Sequence, residues 1–201
     1  METTRDIGPH AAELVALAAA ATSTYDAFVY DDAKQARQAH ELLLQANASE
    51  YSPPFVMLVV EEGALAAMAS AMPVEAINAC RLRAAIALSR APWLAKGSAL
   101  RRRLQKAGRT FTPLNPDDYY ATRLAVHEST RGKGYGRKLF ELLEQEARAA
   151  GASRLTLDVS PDHEAAIHLY ERLGFKNVGK GEAVDSETGR TLVHLHMAKK
   201  L

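Results

Sequence analysis

The chain has 201 residues, 47% hydrophobic and 24% charged, which fits one ordinary globular domain and excludes a disordered, charge-dominated chain. A single cysteine, Cys80, excludes both a disulfide framework and a thiolate-clustered zinc site, and points to a reducing, cytoplasmic compartment. The formal net charge of +1 hides an uneven distribution: residues 1–75 hold 11 acids and 3 bases, 76–116 hold 9 bases and no acid, and 117–201 hold 13 of each. The segments therefore carry −8, +9 and 0, and the acidic first third is the natural counterpart of the basic block.

Gly8-Pro9 followed by His10 to Ala21 reads as a helix with proline in its first turn. Its apolar run, Leu14 to Ala21, is far shorter than the roughly 20 residues that span a bilayer, and Glu2, Asp6 and Glu13 argue against a signal peptide. Residues 25–30, rich in aromatics, read as an irregular joint. A second helix follows, capped by Asp31 or Asp32, with Ala36, Ala39, Leu42, Leu43 and Ala46 at helical spacing. Phe55 to Val60 and Ala64 to Met72 read as a hairpin turning at Glu61-Glu62-Gly63. The basic segment from Val74 to Arg109 predicts two or more short helices, broken at Pro92 and Gly97. Then come a strand over 119–126, a helix over 137–150 stopped by Gly151, a strand over 155–159, a helix over 164–173 stopped by Gly174, and strands over 175–178 and 191–198 around an Asp185-to-Gly189 turn.

The run Arg131-Gly132-Lys133-Gly134-Tyr135-Gly136-Arg137 lies between a strand and an amphipathic helix. Backbone N–H groups, the positive helix end and three basic side chains converge there, which suits a phosphate. The spacing fits neither a P-loop nor a Rossmann turn, so nucleotide hydrolysis and hydride transfer lose support.

A second block, Leu157-Asp158-Val159 through Leu169-Tyr170-Glu171-Arg172-Leu173-Gly174-Phe175, follows the loop. The Arg-x-x-Gly-x-Gly loop and the Leu-Tyr-x-x-x-Gly-Phe ending, in this order over Tyr120 to Val178, resemble the GNAT superfamily of acetyl-CoA-dependent N-acetyltransferases. The resemblance implies a single α/β domain, a mixed twisted sheet with helices on both faces. It also implies a helical basic insertion at about 74–116 before a cofactor-binding core at about 119–178.

By the same resemblance, acetyl-CoA is the cofactor. Arg131, Gly132, Lys133, Gly134, Tyr135, Gly136 and Arg137 would wrap its pyrophosphate, and the backbone of Leu124, Ala125 and Val126 would hold the pantetheine arm as an extra strand where two strands splay. A backbone N–H near Val126 would polarise the thioester carbonyl. Tyr170 would sit near the sulfur as general acid for the departing thiolate. His163 stands where the family commonly has Asn, and its contact to the arm is an expectation that competes with a solvent-facing loop position. Asp118 is the first candidate for general base, acting through water, with Glu61, Glu62 and Glu128 behind it as surface charges. Tyr25, Phe28 and Tyr30 would either line the acceptor pocket, which the joint of the first two helices borders in the family, or pack in the core.

The reaction expected is direct acetyl transfer to a small-molecule or peptide amine; the alternative is a non-catalytic acyl-CoA-binding or regulatory protein. An arginine-lined wall from residues 101–103 would favour acceptors bearing carboxylate or phosphate. Trp93 and Phe111 are too few aromatics for a nucleic-acid surface. His194 and His196 share one strand face, expected to be exposed, with no third metal ligand. Cys80 is expected to be a small buried apolar residue.

Overall fold

The structure is a computed structural model that describes residues 2–46, 50–91 and 97–201. Its elements in chain order are β1 (Glu2–Thr4), α1 (Ala11–Ala21), α2 (Ser23–Val29), α3 (Ala33–Gln45), β2 (Val56–Glu61), β3 (Ala64–Pro73), α4 (Val74–Ser89) and α5 (Ser98–Gly108). Then follow β4 (Asp118–Val126), α6 (Tyr135–Ala149), β5 (Arg154–Val159), α7 (Glu164–Arg172), β6 (Lys176–Asp185) and β7 (Arg190–Lys200).

The seven strands form one sheet in the order β1-β2-β3-β4-β5-β7-β6, antiparallel except for the β4/β5 pair. Helices cover both faces. On one, Leu139, Phe140, Leu143 and Ala147, spaced three and four apart along α6, pack with Tyr170 of α7 onto Tyr119, Ala121, Leu155 and Leu157. On the other, Leu14, Leu17 and Ala18 of α1 meet Leu58, Leu65 and Met68, while Phe28, Val29, Ala36, Leu100 and Ala107 of α2, α3 and α5 meet Leu192. Covered on both faces, β3 is a nearly continuous apolar run.

Two irregularities of β4 position the site. It pairs with β5 only over Asp118–Ala121 against Arg154–Leu157, and beyond that the two strands part. Against β3 the register skips Thr122, since Ala71 faces Ala121 while Ser70 faces Arg123, so β4 carries a bulge. Before the bulge Tyr119 and Ala121 face α6; after it Leu124 and Val126 do, and Tyr120, Arg123 and Ala125 turn to the opposite side. The extra residue thus aims Arg123 away from the apolar α6 face.

Several expectations change. Residues 23–29 form α2 rather than an irregular joint, continuing from α1 through the Asp26 N–H to Thr22 carbonyl bond (2.8 Å). β1 was not predicted, and β6 extends to Asp185, well past Val178. The basic segment yields the 16-residue α4 and the 11-residue α5; Pro92 and Trp93 lie outside the described residues. Only part of it meets the acidic first third: Arg103 binds Asp31 (2.6 Å) and the Val29 carbonyl (2.8 Å), but Arg102 and Lys106 bind Asp185 of β6. Asp32 caps α3 by accepting from the Gln35 N–H at 2.8 Å, as predicted. Cys80 is buried as expected.

Candidate active site

The loop between β4 and α6 is anchored to β3, because the Thr130 hydroxyl and the His127 N–H both bond the Ala66 carbonyl (2.9 and 2.8 Å). Gly132 and Gly134 then adopt φ of +81° and +85°, left-handed values that favour glycine. Gly136 serves packing instead: a Cβ there would lie 3.0 Å from Leu169 of α7, so its absence lets α6 approach α7. None of the N–H groups of Gly132, Gly134, Tyr135, Gly136 or Arg137 has a hydrogen-bond partner among the described residues. This row of open donors at a helix N-terminus has the geometry that suits an anion. Arg131 is exposed, Arg137 pairs with Glu141, and Lys133 donates to Glu61 at 2.7 Å. Glu61 also accepts the Tyr135 hydroxyl at 2.5 Å; the two donors hold its carboxyl below the usual range, and the carboxylate in turn raises Tyr135. Glu61 is therefore a strut of the loop.

From the loop a cleft of ≈ 1460 Å³ runs past Leu124, Ala125 and Val126 to His163 and Tyr170. Along it the edge of β4 beyond Ala121 has no strand partner toward β5. A second cavity of ≈ 650 Å³, walled by residues of α2, α4, α5, β4 and β5, meets the cleft where Leu124, His163, Ala166 and Tyr170 line both. The V-shaped parting of β4 and β5 lets a side chain of α7 reach this junction. The Tyr170 ring packs against Phe140 and Phe175 with centroids 5.3 and 6.0 Å away. Its hydroxyl has no partner among the described residues, and burial raises its pKa well above that of an ordinary phenol. At neutral pH it is a protonated donor at the meeting point of two cavities.

The structure does not bring Asp118 to this place. It opens β4 at the paired end, away from the split, where both carboxylate oxygens bind Arg154 (2.7 and 2.8 Å) and one also accepts the Asn115 N–H. The fork is structural, and Asp118 is withdrawn as a base. Glu62 and Glu128 line the cleft on the loop side and are absent from the second cavity. Tyr25 and Tyr30 line the second cavity, and Phe28 takes the core position, the other of its two expected places.

His194 and His196 are buried, not exposed. Residues 110–112 fold over them: Thr110 meets both imidazoles, and the Thr112 N–H bonds Asp158 at 3.1 Å. Asp158 also accepts the Tyr120 hydroxyl at 2.5 Å, and burial raises its carboxyl pKa against these bonds. Sequence reasoning missed His194, Arg123 and Asp158 as wall residues; a period-two pattern in β7 and an unrecognised bulge in β4 gave no signal of a cavity.

The sequence model of the acetyltransferase (GNAT) family matches residues 21–175. The chain belongs to this family. Among curated relatives it is similar to the uncharacterized N-acetyltransferase YdgE of Bacillus subtilis, 34% identical over 64 residues, which is 31% of this chain and 41% of that one. It is also similar to the L-amino acid N-acyltransferase MnaT of Escherichia coli, 36% identical over 67 residues, 33% of this chain and 39% of that one. The chain thus spans less than half the length of these curated relatives. Among solved structures, an N-acetyltransferase from Staphylococcus aureus Mu50 superposes with TM-score 0.67 at 16% identity, covering 99% of this chain and 100% of that one, a likeness of fold. No helix among the described residues is long and apolar enough to cross a membrane.

Proposed function

We propose that this GNAT-family protein transfers an acetyl group from acetyl-CoA directly to an amine. The observation that carries the reading is the junction itself: a long cleft with a row of open N–H donors at one end meets a separate cavity at the unpartnered hydroxyl of a buried tyrosine. The chain's residues fit acetyl-CoA. The free N–H groups at Gly132 and Gly134 to Arg137 would take the pyrophosphate, with Arg131 and Arg137 adding charge, and the unpaired β4 edge from Leu124 to Val126 would hold the amide-rich arm. His163, at the N-terminus of α7, lines both cavities and would flank the arm.

When bound, acetyl-CoA supplies an activated acyl carbon and a thiolate leaving group. Tyr170 holds a proton at Oη and delivers it toward the sulfur. The second cavity seats the amine. Its Arg81 and Arg101 form no ion pair among the described residues, whereas Asp26, Glu50 and Asp158 in the same wall each already have a donor. The wall's three arginines equal its three carboxylates in number, and the two guanidinium groups left outside an ion pair, Arg81 and Arg101, are what supports an acceptor that carries a carboxylate or phosphate besides its amine. Acyl-CoA binding without turnover is the alternative.

The test pairs thermal shift with CoA and acetyl-CoA and thiol release from acetyl-CoA with glycine, L-phenylalanine, O-phosphoethanolamine and spermidine. A raised Tm and turnover with an anionic member of the set support the reading. A raised Tm without turnover of any amine leaves the binding protein instead.

A further inference from the structure

Acyl transfer to an amine needs a group that takes the amine's proton, and with Asp118 withdrawn the second cavity is where that group must be found. Each carboxylate in its wall is committed. Glu50 pairs with Arg123, Asp158 accepts from Tyr120 and Thr112, and Asp26 accepts from Thr22 and contacts His40, its remaining oxygen sealed from solvent.

His194 differs from these. Its Nδ1 lies 2.9 Å from Thr110 Oγ1, and the single hydroxyl proton of Thr110 goes to the Ala107 carbonyl at 2.8 Å. With that proton assigned to the carbonyl, Thr110 accepts from the imidazole, an assignment that puts the ring proton on Nδ1 and leaves the lone pair on Nε2. Nε2 has no partner among the described residues, and the ring forms part of the cavity wall that Tyr170 also lines. Phe111 stacks on the ring (centroids 5.1 Å apart, planes at 27°) and fixes its orientation. The Thr110 segment can sit this close to the sheet because Gly181, opposite His194 in the β6/β7 register, has no Cβ; one there would overlap the Thr110 backbone. In β7, His194 lies one residue beyond the last pair with β5, Leu195 against Val159, so it stands at the open end of the split.

We propose that His194, through Nε2, is the catalytic residue that accepts the proton of the attacking amine. This rests on the acyl-transfer reading above. As the amine nitrogen's electron pair forms the N–C bond, Nε2 takes the proton that nitrogen sheds; the electron pair of the broken C–S bond goes to sulfur, which takes the Tyr170 proton. Burial, helped by His196, pushes the His194 pKa down to about 4, so the ring is neutral and its lone pair free at neutral pH. The low basicity suffices because a nitrogen bonding to a carbonyl carbon is far more acidic than a free ammonium. The proton left on Nε2 then passes through solvent to the Tyr170 oxygen, which restores both groups.

The test has a structural and a kinetic arm. In protein labelled with ¹⁵N-histidine, long-range proton–nitrogen NMR without any ligand should show His194 with a protonated Nδ1 and a bare Nε2; the reverse tautomer overturns the proposal. With the amine of the four-member set that the wild type turns over fastest, His194→Ala should lower kcat by about 10²-fold or more. Its CoA-induced Tm shift should persist, and added imidazole should recover part of the rate, which it should not do for Tyr170→Phe. Should His194→Ala fail to fold, Thr110→Val keeps the ring and its stack but removes the partner of Nδ1; mixed tautomers and a lower kcat are expected. A wild type that turns over amines while His194→Ala stays within about threefold of it, lacks imidazole rescue, or, in the fallback, Thr110→Val keeps both tautomer and rate, overturns the role of His194 alone. No turnover of any amine by the wild type refutes the acyl-transfer reading instead.

Discussion

Tyr170→Phe removes one oxygen and nothing else. The ring keeps its packing on Phe140 and Phe175, and the lost hydroxyl leaves no donor or acceptor stranded, because it has no partner among the described residues. Stability should therefore change by less than about 0.5 kcal/mol, whereas Tyr170→Ala, which empties a buried ring site, should cost about 3–5 kcal/mol. Catalysis should respond in the opposite order of subtlety: loss of a positioned acid lowers kcat by about 10²–10⁴-fold, or roughly 2.7–5.4 kcal/mol at 1.36 kcal/mol per decade. The assay is thiol release under saturating acetyl-CoA, with single-turnover mixing to establish that chemistry is limiting. CoA-induced thermal shift in the same variant should match the wild type. A rate within about threefold of wild type under those conditions would refute the acid role, and a lost thermal shift would show that the hydroxyl binds rather than reacts.

Gly134→Glu should abolish the CoA-induced Tm shift by placing bulk and negative charge at the row of open donors, while Gly134→Ala, which tests only the strain of φ +85°, should retain part of it. Asp118→Asn should destabilise the fold by ~2 kcal/mol, less than the ~3–5 kcal/mol of a fully buried pair because Arg154 stays partly solvated, and leave kcat of the folded protein unchanged; a selective kcat loss would reinstate Asp118 as a base. Arg81→Gln with Arg101→Gln should shift acceptor preference toward spermidine with little change in acetyl-CoA affinity, and unchanged preference would remove the anionic-acceptor reading. Burial holds Tyr25 up to about 12 and raises Tyr30, Tyr51, Tyr120 and Tyr170. Above the ordinary phenol value of about 10 the unfolded chain then loses protons that the folded chain keeps, so stability should fall as pH rises from about 10; phenolate absorbance appearing before loss of the circular dichroism signal would contradict this.

Local chemistry was legible in the sequence. The glycine-rich loop, the α6 and α7 periodicities and their glycine stops, and the ending that carries Tyr170 are written within windows of a few residues, because turn conformation, open helix N–H groups and apolar spacing depend on near neighbours. Tertiary structure alone decided the pairings between distant residues. Asp118 looked free until Arg154, 36 residues on, closed a fork around it. His194 looked exposed until Thr110, 84 residues earlier, folded over it and gave its Nδ1 a partner. Arg103 turned inward to α2 while Arg101 reached the cavity, a division that three adjacent arginines cannot reveal. The bulge at Thr122 reversed which β4 side chains face the second cavity, and strand alternation read from sequence has no term for an extra residue that only the register against β3 exposes.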